Sequence, residues 1–460
     1  MSEPAAVPDL PVMGVRVAAG VTVAVPPRID LLTPYVLLEQ EDWFEDEIAF
    51  LCRSLGAGSR VVDIGANYGL YSLSLAEIAG PAGHVWSIEP ASQTAAYLRM
   101  SVGVNELGNI TVIQKALSNR PGTARLSVEA NSELNSISQG DTGGATEEVE
   151  LDTLDSLAAA HGWNDVDFLK LDAEGEEGRI LEGGAAFLRT ADPLVMFEIK
   201  HGASLNLQLV ERLASAGYGA YMLVPGLGLL VPFDPAAPSD PFRLNLFACK
   251  PGRARLLESR GALASGTAAI GKADPFAHYR AAKDAKAAPA ARYAHLKAAF
   301  EGLEAFADHD AYGLASRARV AREIGLRQHA VERLNEALAA CLAGDPGPPR
   351  GPYLPPVDAF DAIDPAGVHG EWLTAALLDG LVSLTDFSTY LARGTPREQP
   401  TLDRLEALKV TRFQRAPMER RRQLMRILMR RQPGPAPDPL LATYKDDNLN
   451  PELWGGAPPV

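Results

Sequence analysis

The spacing of apolar residues changes along this chain, and the changes divide it. Near the start, Val15, Val17, Val21, Val23 and Val25 fall on alternate positions and stop at Pro26-Pro27. This predicts a short hairpin outside any main sheet. Residues 41–55 then read as a helix. Acidic residues crowd the first turn, and Phe44, Ile48, Leu51 and Leu55 share one face. A regular alternation follows. Apolar runs at 60–64, 84–89, 110–115, 167–171, 194–199, 220–224 and 244–249 predict strands. Helical periodicity at 69–79, 92–107, 154–161, 175–188 and 205–216 lies between them. Residues 119–150 break this rhythm with one predicted strand, 123–128, and a polar loop that includes Asn131-Ser132-Glu133-Leu134-Asn135-Ser136. Strands alternating with helices imply an α/β fold with a doubly wound, mostly parallel sheet covered on both faces. Such a sheet binds ligands beyond the carboxyl ends of its strands, near the point where strand order reverses.

After residue 250 the strand pattern ceases. Residues 251–289 are rich in Ala, Gly and Lys and read as a linker with some helix. Residues 290–432 carry amphipathic helices, an all-α domain. Within it Leu314–Leu338 resembles one tetratricopeptide-type hairpin broken at Gly325, without a second copy at a fixed period. Residues 433–460 are a Pro-rich tail. The expected division is therefore 1–34, 35–250, 251–289, 290–432 and 433–460.

Composition agrees with more than one core, since 460 residues exceed one typical domain. The net charge of -15 is unevenly placed. Residues 1–250 hold 15 basic and 33 acidic side chains, and residues 251–460 hold 28 and 25. An acidic front half argues against a grip on nucleic acid there. Three scattered cysteines, Cys52, Cys249 and Cys341, make neither a disulfide framework nor a zinc site. No stretch reaches the ~18 apolar residues of a membrane span, and the first residues lack a secretory pattern. A cytoplasmic protein is expected.

The first strand-to-helix turn carries the most specific chemistry. It reads Asp63-Ile64-Gly65-Ala66-Asn67-Tyr68-Gly69. A dinucleotide fingerprint would be G-x-G-x-x-G, seating a pyrophosphate on the helix N-terminus. Here Asn67 replaces the central glycine and a carboxylate ends the strand. That carboxylate would repel a pyrophosphate. It suits a ligand with an ammonium group and no phosphate, such as the methionine end of S-adenosyl-L-methionine. Glu89 follows 26 residues later, at the end of the next strand, where a carboxylate can accept hydrogen bonds from ribose hydroxyls. Lys115 and Ala116 end the third strand and could flank an adenine.

A second dense site is Lys170-Leu171-Asp172-Ala173-Glu174-Gly175-Glu176-Glu177. Clustered carboxylates in a crevice need a reason, because unpaired buried charge is costly. Glu177 is accounted for as a first-turn acid favoured by the helix dipole. Asp172 and Glu174, with Glu198 at the next strand end and His201 beyond it, would surround a substrate hydroxyl. All four are candidates for the general base. Asp172 with Glu198 could alternatively ligate a divalent cation. No His-rich ligand set accompanies them, so no metal is expected.

The segment from about Tyr35 to Cys249 resembles the FkbM-type methyltransferases. The resemblance rests on Trp43-Phe44-Glu45, Val62 to Gly69, Glu89-Pro90, Asn105, Leu151-Asp152-Thr153-Leu154, Lys170 to Gly175, and Glu198. One departure is Ala173, where many relatives carry a β-branched residue. The resemblance implies a class I methyltransferase (Rossmann-like) fold and O-methylation, commonly of sugar or polyketide hydroxyls. It ends near Lys250. The acceptor would be a hydroxyl-bearing small molecule or glycan. Beyond it, Arg420-Arg421-Arg422, Arg426, Arg430 and Arg431 make a basic helix, 419–431. This helix is read either as a face packed on the acidic first domain or as a surface for a protein or anionic partner. The competing functions are a noncatalytic scaffold and an NAD-dependent oxidoreductase.

Overall fold

The computed structural model describes residues 10–127, 136–137, 145–201, 204–205, 207–266, 268–306 and 310–429. The Pro-rich tail, Arg430, Arg431 and the polar loop at Asn131–Asn135 lie outside them.

The chain opens with an antiparallel hairpin of β1 (Met13–Arg16) and β2 (Thr22–Val25), Val15 opposite Val23. Helix α1 (Leu32–Gln40) follows. It escaped the sequence reading because it is buried on nearly every side and so has no polar face. Helix α2 is Asp46–Ser54. The alternating core then runs β3 (Arg60–Ile64), α3 (Leu70–Ala79), β4 (His84–Ile88), α4 (Ser92–Val104) and β5 (Ile110–Ile113). A small side sheet interrupts it. This sheet holds β6 (Ala116–Leu117), β7 (Gly122–Ser127), β8 (Ser136–Ile137) and β9 (Thr146–Asp152), in the order β6-β9-β7-β8. Strand β9 stands where only loop was expected. Its acid-rich sequence hides the alternation that turns Val149 and Leu151 into one small apolar cluster.

The core resumes with α5 (Leu154–His161), β10 (Phe168–Leu171), α6 (Glu177–Gly183), α7 (Ala185–Thr190) and β11 (Leu194–Glu198). The single helix expected over 175–188 is broken at Gly184. A side chain there would meet Leu154 Cδ2 at 2.5 Å, so the two helices pack against α5 through glycine. A two-residue pair, β12 (Lys200–His201) and β13 (Ser204–Leu205), leads to α8 (Gln208–Ser215), β14 (Gly219–Val224), β15 (Leu229–Pro232) and β16 (Asn245–Cys249).

The main sheet has the order β15-β14-β16-β11-β10-β3-β4-β5. Strands β11, β10, β3, β4 and β5 run parallel, and β16 is antiparallel to β11. This is the mostly parallel, doubly wound class I methyltransferase architecture. Strand order reverses between β3 and β10, so the crevice opens at their carboxyl ends. One face of the sheet buries Val61, Phe168, Met196 and Phe247, and the other buries Val62, Leu169, Val195 and Leu246.

Residues 251–289 contain α9 (Pro251–Ser259) and α10 (Pro275–Ala282), each started by proline. Among the described residues six further α-helices follow: α11 (Pro289–Ala305), α12 (Ala311–Ile324), α13 (Arg327–Ala343), α14 (His369–Thr385), α15 (Glu398–Lys409) and α16 (Ala416–Met429). Gly325, at φ +93°, closes α12 and turns the chain into α13. The helical region shares cores with the sheet. Leu424 and Leu428 of α16 join the apolar cluster that holds Val61 and Phe168, and Val320 packs with Val224 and Leu229.

Helix α16 favours the first of its two readings, a face packed within the chain. Arg420, Arg421 and Arg422 are buried, not displayed to a partner. Arg420 bonds the Glu39 carbonyl at 3.2 Å and pairs with Glu41 at 2.9 Å. Arg422 pairs with Glu419 and Glu406, and Arg426 pairs with Glu406 at 2.7 Å. The basic stripe answers acids of its own chain, where the sequence shows only its charge. Among the described residues no helix is long and apolar enough to cross a membrane.

Candidate active site

The turn after β3 is built for close approach. Gly65 has φ +74°, and a side chain there would meet the Asp172 carbonyl oxygen at 1.7 Å. Only glycine lets the β3 and β10 ends touch here. The amides of Gly65 and Ala66 both donate to the Ile88 carbonyl at 3.0 Å. Asn67 adopts a left-handed φ of 49°, which asparagine tolerates better than most residues. Gly69 starts α3, and any side chain there would strike Leu98. A cleft of about 1070 Å³, open solvent included, lies above this turn. Gly65, Ala66, Asn67, Glu89, Lys115, Ala116, Asp172 and Glu174 line it, and Gly69 does not.

Asp63 does not line the cleft either. It is fully buried one layer below, where Ser72 donates to its Oδ2 at 2.6 Å and Ser87 donates to Ser72 at 2.6 Å. Strand register sets Lys170 directly opposite Asp63. The Lys170 ammonium lies 3.7 Å from Asp63 Oδ1, 2.8 Å from Asp172 Oδ2 and 3.2 Å from the Gly65 carbonyl. Burial raises the pKa of Asp63, and Lys170 opposes that shift. Burial alone would lower the pKa of Lys170, but the carboxylates of Asp172 and Asp63 outweigh it and hold the ammonium charged. The charge expected to greet a ligand is therefore answered inside the protein.

Glu89 joins the two halves of the cleft floor. Its Oε2 accepts from the Asn67 amide and its Oε1 from the Ala91 amide, each at 3.0 Å. Burial raises its pKa to about 7 against those bonds. Each carboxylate oxygen keeps acceptor capacity beyond one bond. Lys115 lines the cleft while pairing with Glu150 at 2.6 Å and Asp152 at 3.0 Å.

Asp172, Glu174 and Glu198 converge, one carboxylate oxygen of each lying within 4.8 Å of the others. Burial, then the charges of Asp172 and Glu174, push Glu198 up to about 9. A proton on Glu198 relieves the crowding. A divalent cation, the alternative left open by the sequence, would do the same. His201 sits in β12, and its side chain lies outside what the structure describes. Glu177 is not a solvated first-turn acid. It is buried, and its Oε1 accepts from the amides of Ala173 at 2.9 Å and Gly175 at 3.0 Å, fixing the turn that carries Glu174.

Four residues complete the site without having been given a role in it: Lys170, Trp43, Glu45 and Tyr71. Tyr71 donates to Glu45 and lies 5.3 Å under the Lys170 ammonium. A lysine inside the otherwise apolar strand Phe168-Leu169-Lys170-Leu171 is the signal that could have found the first. Trp43 and Glu45 come from the segment between α1 and α2 and Tyr71 from α3, and only the fold brings them together at the cleft.

The donor set fits S-adenosylmethionine. Gly65 keeps the loop backbone open, Glu89 offers acceptors, and the cleft is concave and mixed in polarity, as cofactor sites are. Among solved structures, an S-adenosylmethionine-dependent methyltransferase from Aquifex aeolicus is 16% identical and aligns over 49% of this chain and 92% of its own, with a TM-score of 0.24. Aeropyrum pernix fibrillarin with natively bound S-adenosyl-L-methionine is 14% identical, over 52% and 95%, with a TM-score of 0.27. An S-adenosylmethionine-dependent O-methyltransferase from Thermotoga maritima is 13% identical, over 52% and 78%, with a TM-score of 0.24. These overlaps are loose, and the assignment rests on the family match. No curated protein matches the chain at a significant level. Residues 63–219 match the family model described as the methyltransferase FkbM domain, and this part of the chain is such a domain, with S-adenosylmethionine as its cofactor.

Proposed function

We propose that the protein is an O-methyltransferase acting on a hydroxyl of a sugar, glycan or polyketide-like metabolite in the cytoplasm. The observation that carries this reading is the meeting of the Gly65–Asn67 turn with the Asp172, Glu174 and Glu198 carboxylates at one crevice. Bound S-adenosylmethionine would supply an activated methyl group on its sulfonium. The chain's own work is to position, to exclude water and to move one proton.

Gly65, Ala66 and Asn67 form the backbone floor for the cofactor, with Glu89 toward its ribose and Lys115 and Ala116 beside its base. Trp43 and Tyr71 close the side of the cleft and limit water. The acceptor hydroxyl must lose a proton as it attacks, and Glu198 is the favoured recipient. A carboxylate with a raised pKa is a stronger base than an ordinary one once it is ionised. Lys170 holds Asp172 in place beside it.

Titration calorimetry with S-adenosylhomocysteine tests the cofactor half of the reading. Mass-spectrometric screening of methyl transfer onto nucleotide sugars and envelope glycans tests the acceptor half. Absence of heat at high concentration would leave the noncatalytic scaffold. Tighter binding of NAD would favour the oxidoreductase.

A further inference from the structure

A second, larger cavity of about 1480 Å³, open solvent included, adjoins the cofactor cleft. Glu45 lines both. Trp43 of the cleft stacks on Phe44 of the cavity with ring centroids 4.4 Å apart. The cavity has walls of two origins. Phe44, Glu47, Phe242 and Arg243 come from the sheet region, and Arg327 and Phe387 come from the helical region.

Its charges sort into those already answered and those not. Lys283 pairs with Glu323 at 2.6 Å, and Arg322 pairs with Asp358. Two arginines lack any carboxylate within ion-pair distance among the described residues. Arg243 Nε is buried without a hydrogen bond. Arg327 donates to the carbonyls of Leu384 at 2.9 Å, Ser383 at 3.2 Å and Asp386 at 2.9 Å, all uncharged acceptors. Both line the cavity. A side chain at Gly325 would come within 3.6 Å of Arg243 Nη2, and Arg327 stacks over Phe242, the neighbour of Arg243 in sequence. Asp240 acts on both from beyond ion-pair distance, and Asp46 and Asp386 act on Arg327 in the same way. Burial and the charge of Glu45 raise the pKa of Glu47 to about 8.

The same wall is aromatic. Phe387 lies 5.0 Å from Phe44 and 6.0 Å from Phe242, and Arg327 sits 4.2 Å from the Phe387 centroid. Flat apolar rings beside polar groups suit the C–H faces and hydroxyls of a sugar. Two guanidiniums without a direct ion pair suit a phosphate or carboxylate oxygen pair.

Resting on the methyltransferase reading, we propose that this cavity is the acceptor site, that the helical region builds half of it, and that it takes a carbohydrate bearing an anionic group held by Arg243 and Arg327. The anion is a phosphate or a carboxylate. The sugar ring lies against the phenylalanine wall, and the hydroxyl to be methylated points past Glu45 toward Glu198.

The test is calorimetry on the full chain saturated with S-adenosylhomocysteine. The probes are the 1-phosphates of glucose, galactose and mannose, glucuronate, and the neutral methyl glycosides of the same hexoses. At least one anionic probe should bind tenfold or more tightly than its neutral counterpart. Preference for the phosphates or for glucuronate identifies the anion. Arg243→Met should remove that preference and leave S-adenosylhomocysteine affinity unchanged. Arg327→Met should do the same, checked by thermal melting because it also loses three carbonyl bonds. Equal binding of neutral and anionic probes, no binding of any of them, or undiminished anion binding by both variants overturns the inference while the cofactor reading stands. No heat from S-adenosylhomocysteine itself overturns the methyltransferase reading, and this inference with it.

Discussion

The Lys170 ammonium lies 2.8 Å from the carboxylate of Asp172, two residues further along the chain. Side chains two apart on an extended segment share a face, so the pair follows from strand geometry. The partner strand then sets Asp63 opposite Lys170, and the buried lysine serves two acids at once. Lys170→Met removes the cation and leaves Asp63, buried at 0% exposure, with the Ser72 hydroxyl but no countercharge. Breaking such a buried pair from one side costs about 3–5 kcal/mol. Urea denaturation should show a loss of that size, and adding Asp63→Asn to the variant should recover part of it. Equal stability of Lys170→Met and the parent would mean that the lysine neutralises nothing.

Glu89 accepts from two backbone amides, on either side of the cofactor floor. Glu89→Gln turns one acceptor into an NH2 group, which faces an N–H that can only donate. Hydrogen bonds to a charged group are worth about 1.5–3 kcal/mol, so S-adenosylhomocysteine affinity should fall by roughly 10- to 100-fold. Calorimetry measures this directly. Unchanged affinity would remove Glu89 from the cofactor site.

How much of this was legible beforehand depends on the range of each interaction. The Gly65–Gly69 turn, the parallel strands and the convergence of Asp172 with Glu198 could be read because each follows from local periodicity and strand-end position. Asp63 was misjudged for the opposite reason. Its conspicuous charge suggested a ligand, but the charge is met by Lys170, 107 positions away, through a strand register that no local pattern encodes. Arg420 and Arg422 left two readings open for the same reason. A run of arginines shows only its charge until Glu39, Glu41 and Glu406 are brought beside it. The inter-region cavity was invisible for a third reason. Its walls come from residues 44 and 387, too far apart in sequence to form one motif.

Glu198 gives the proposed reaction a pH signature. A general base works only when ionised, and its pKa is raised to about 9. The ionised fraction therefore grows about tenfold per pH unit below that value. Turnover should rise from pH 6 to 8 with a slope near one on a logarithmic scale, then level off above about 9. Asp172→Asn removes a neighbouring negative charge, so the rising limb should move to lower pH. Glu198→Gln should abolish the limb and lower kcat by roughly 10²- to 10⁴-fold. A limb that survives in Glu198→Gln would transfer the proton to another group, His201 first.

The raised carboxyl groups also act on stability, with a definite sign. Glu47 at about 8 and Glu89 at about 7 hold protons in the folded state that they release in the unfolded state above about pH 4.3. Folding is therefore favoured most near and below that pH. The contribution falls as pH rises toward 7 for Glu89 and toward 8 for Glu47, then levels off. Glu47→Gln carries no charge to bury, so its melting temperature should decline less between pH 5.5 and 8.5 than that of the parent. A decline equal to the parent's would mean that Glu47 is ionised in the fold.

The shared cores bear on how the chain unfolds. Leu424 and Leu428 belong to α16 yet pack in the cluster that contains Val61 and Phe168 of the sheet, so the last helix seals the first domain. Buried Leu→Ala changes cost about 2–5 kcal/mol. If the sheet and helical regions shared no core, Leu424→Ala would lower one calorimetric transition and spare another. With the core shared, the parent should show a single transition, and Leu424→Ala or Leu428→Ala should shift it whole. S-adenosylhomocysteine should raise the same single transition, because a ligand bound only to the folded state stabilises everything that unfolds with its site. Two resolved transitions, with only one responding to the ligand, would separate the regions and leave the inter-region cavity without the rigid wall that an acceptor site requires.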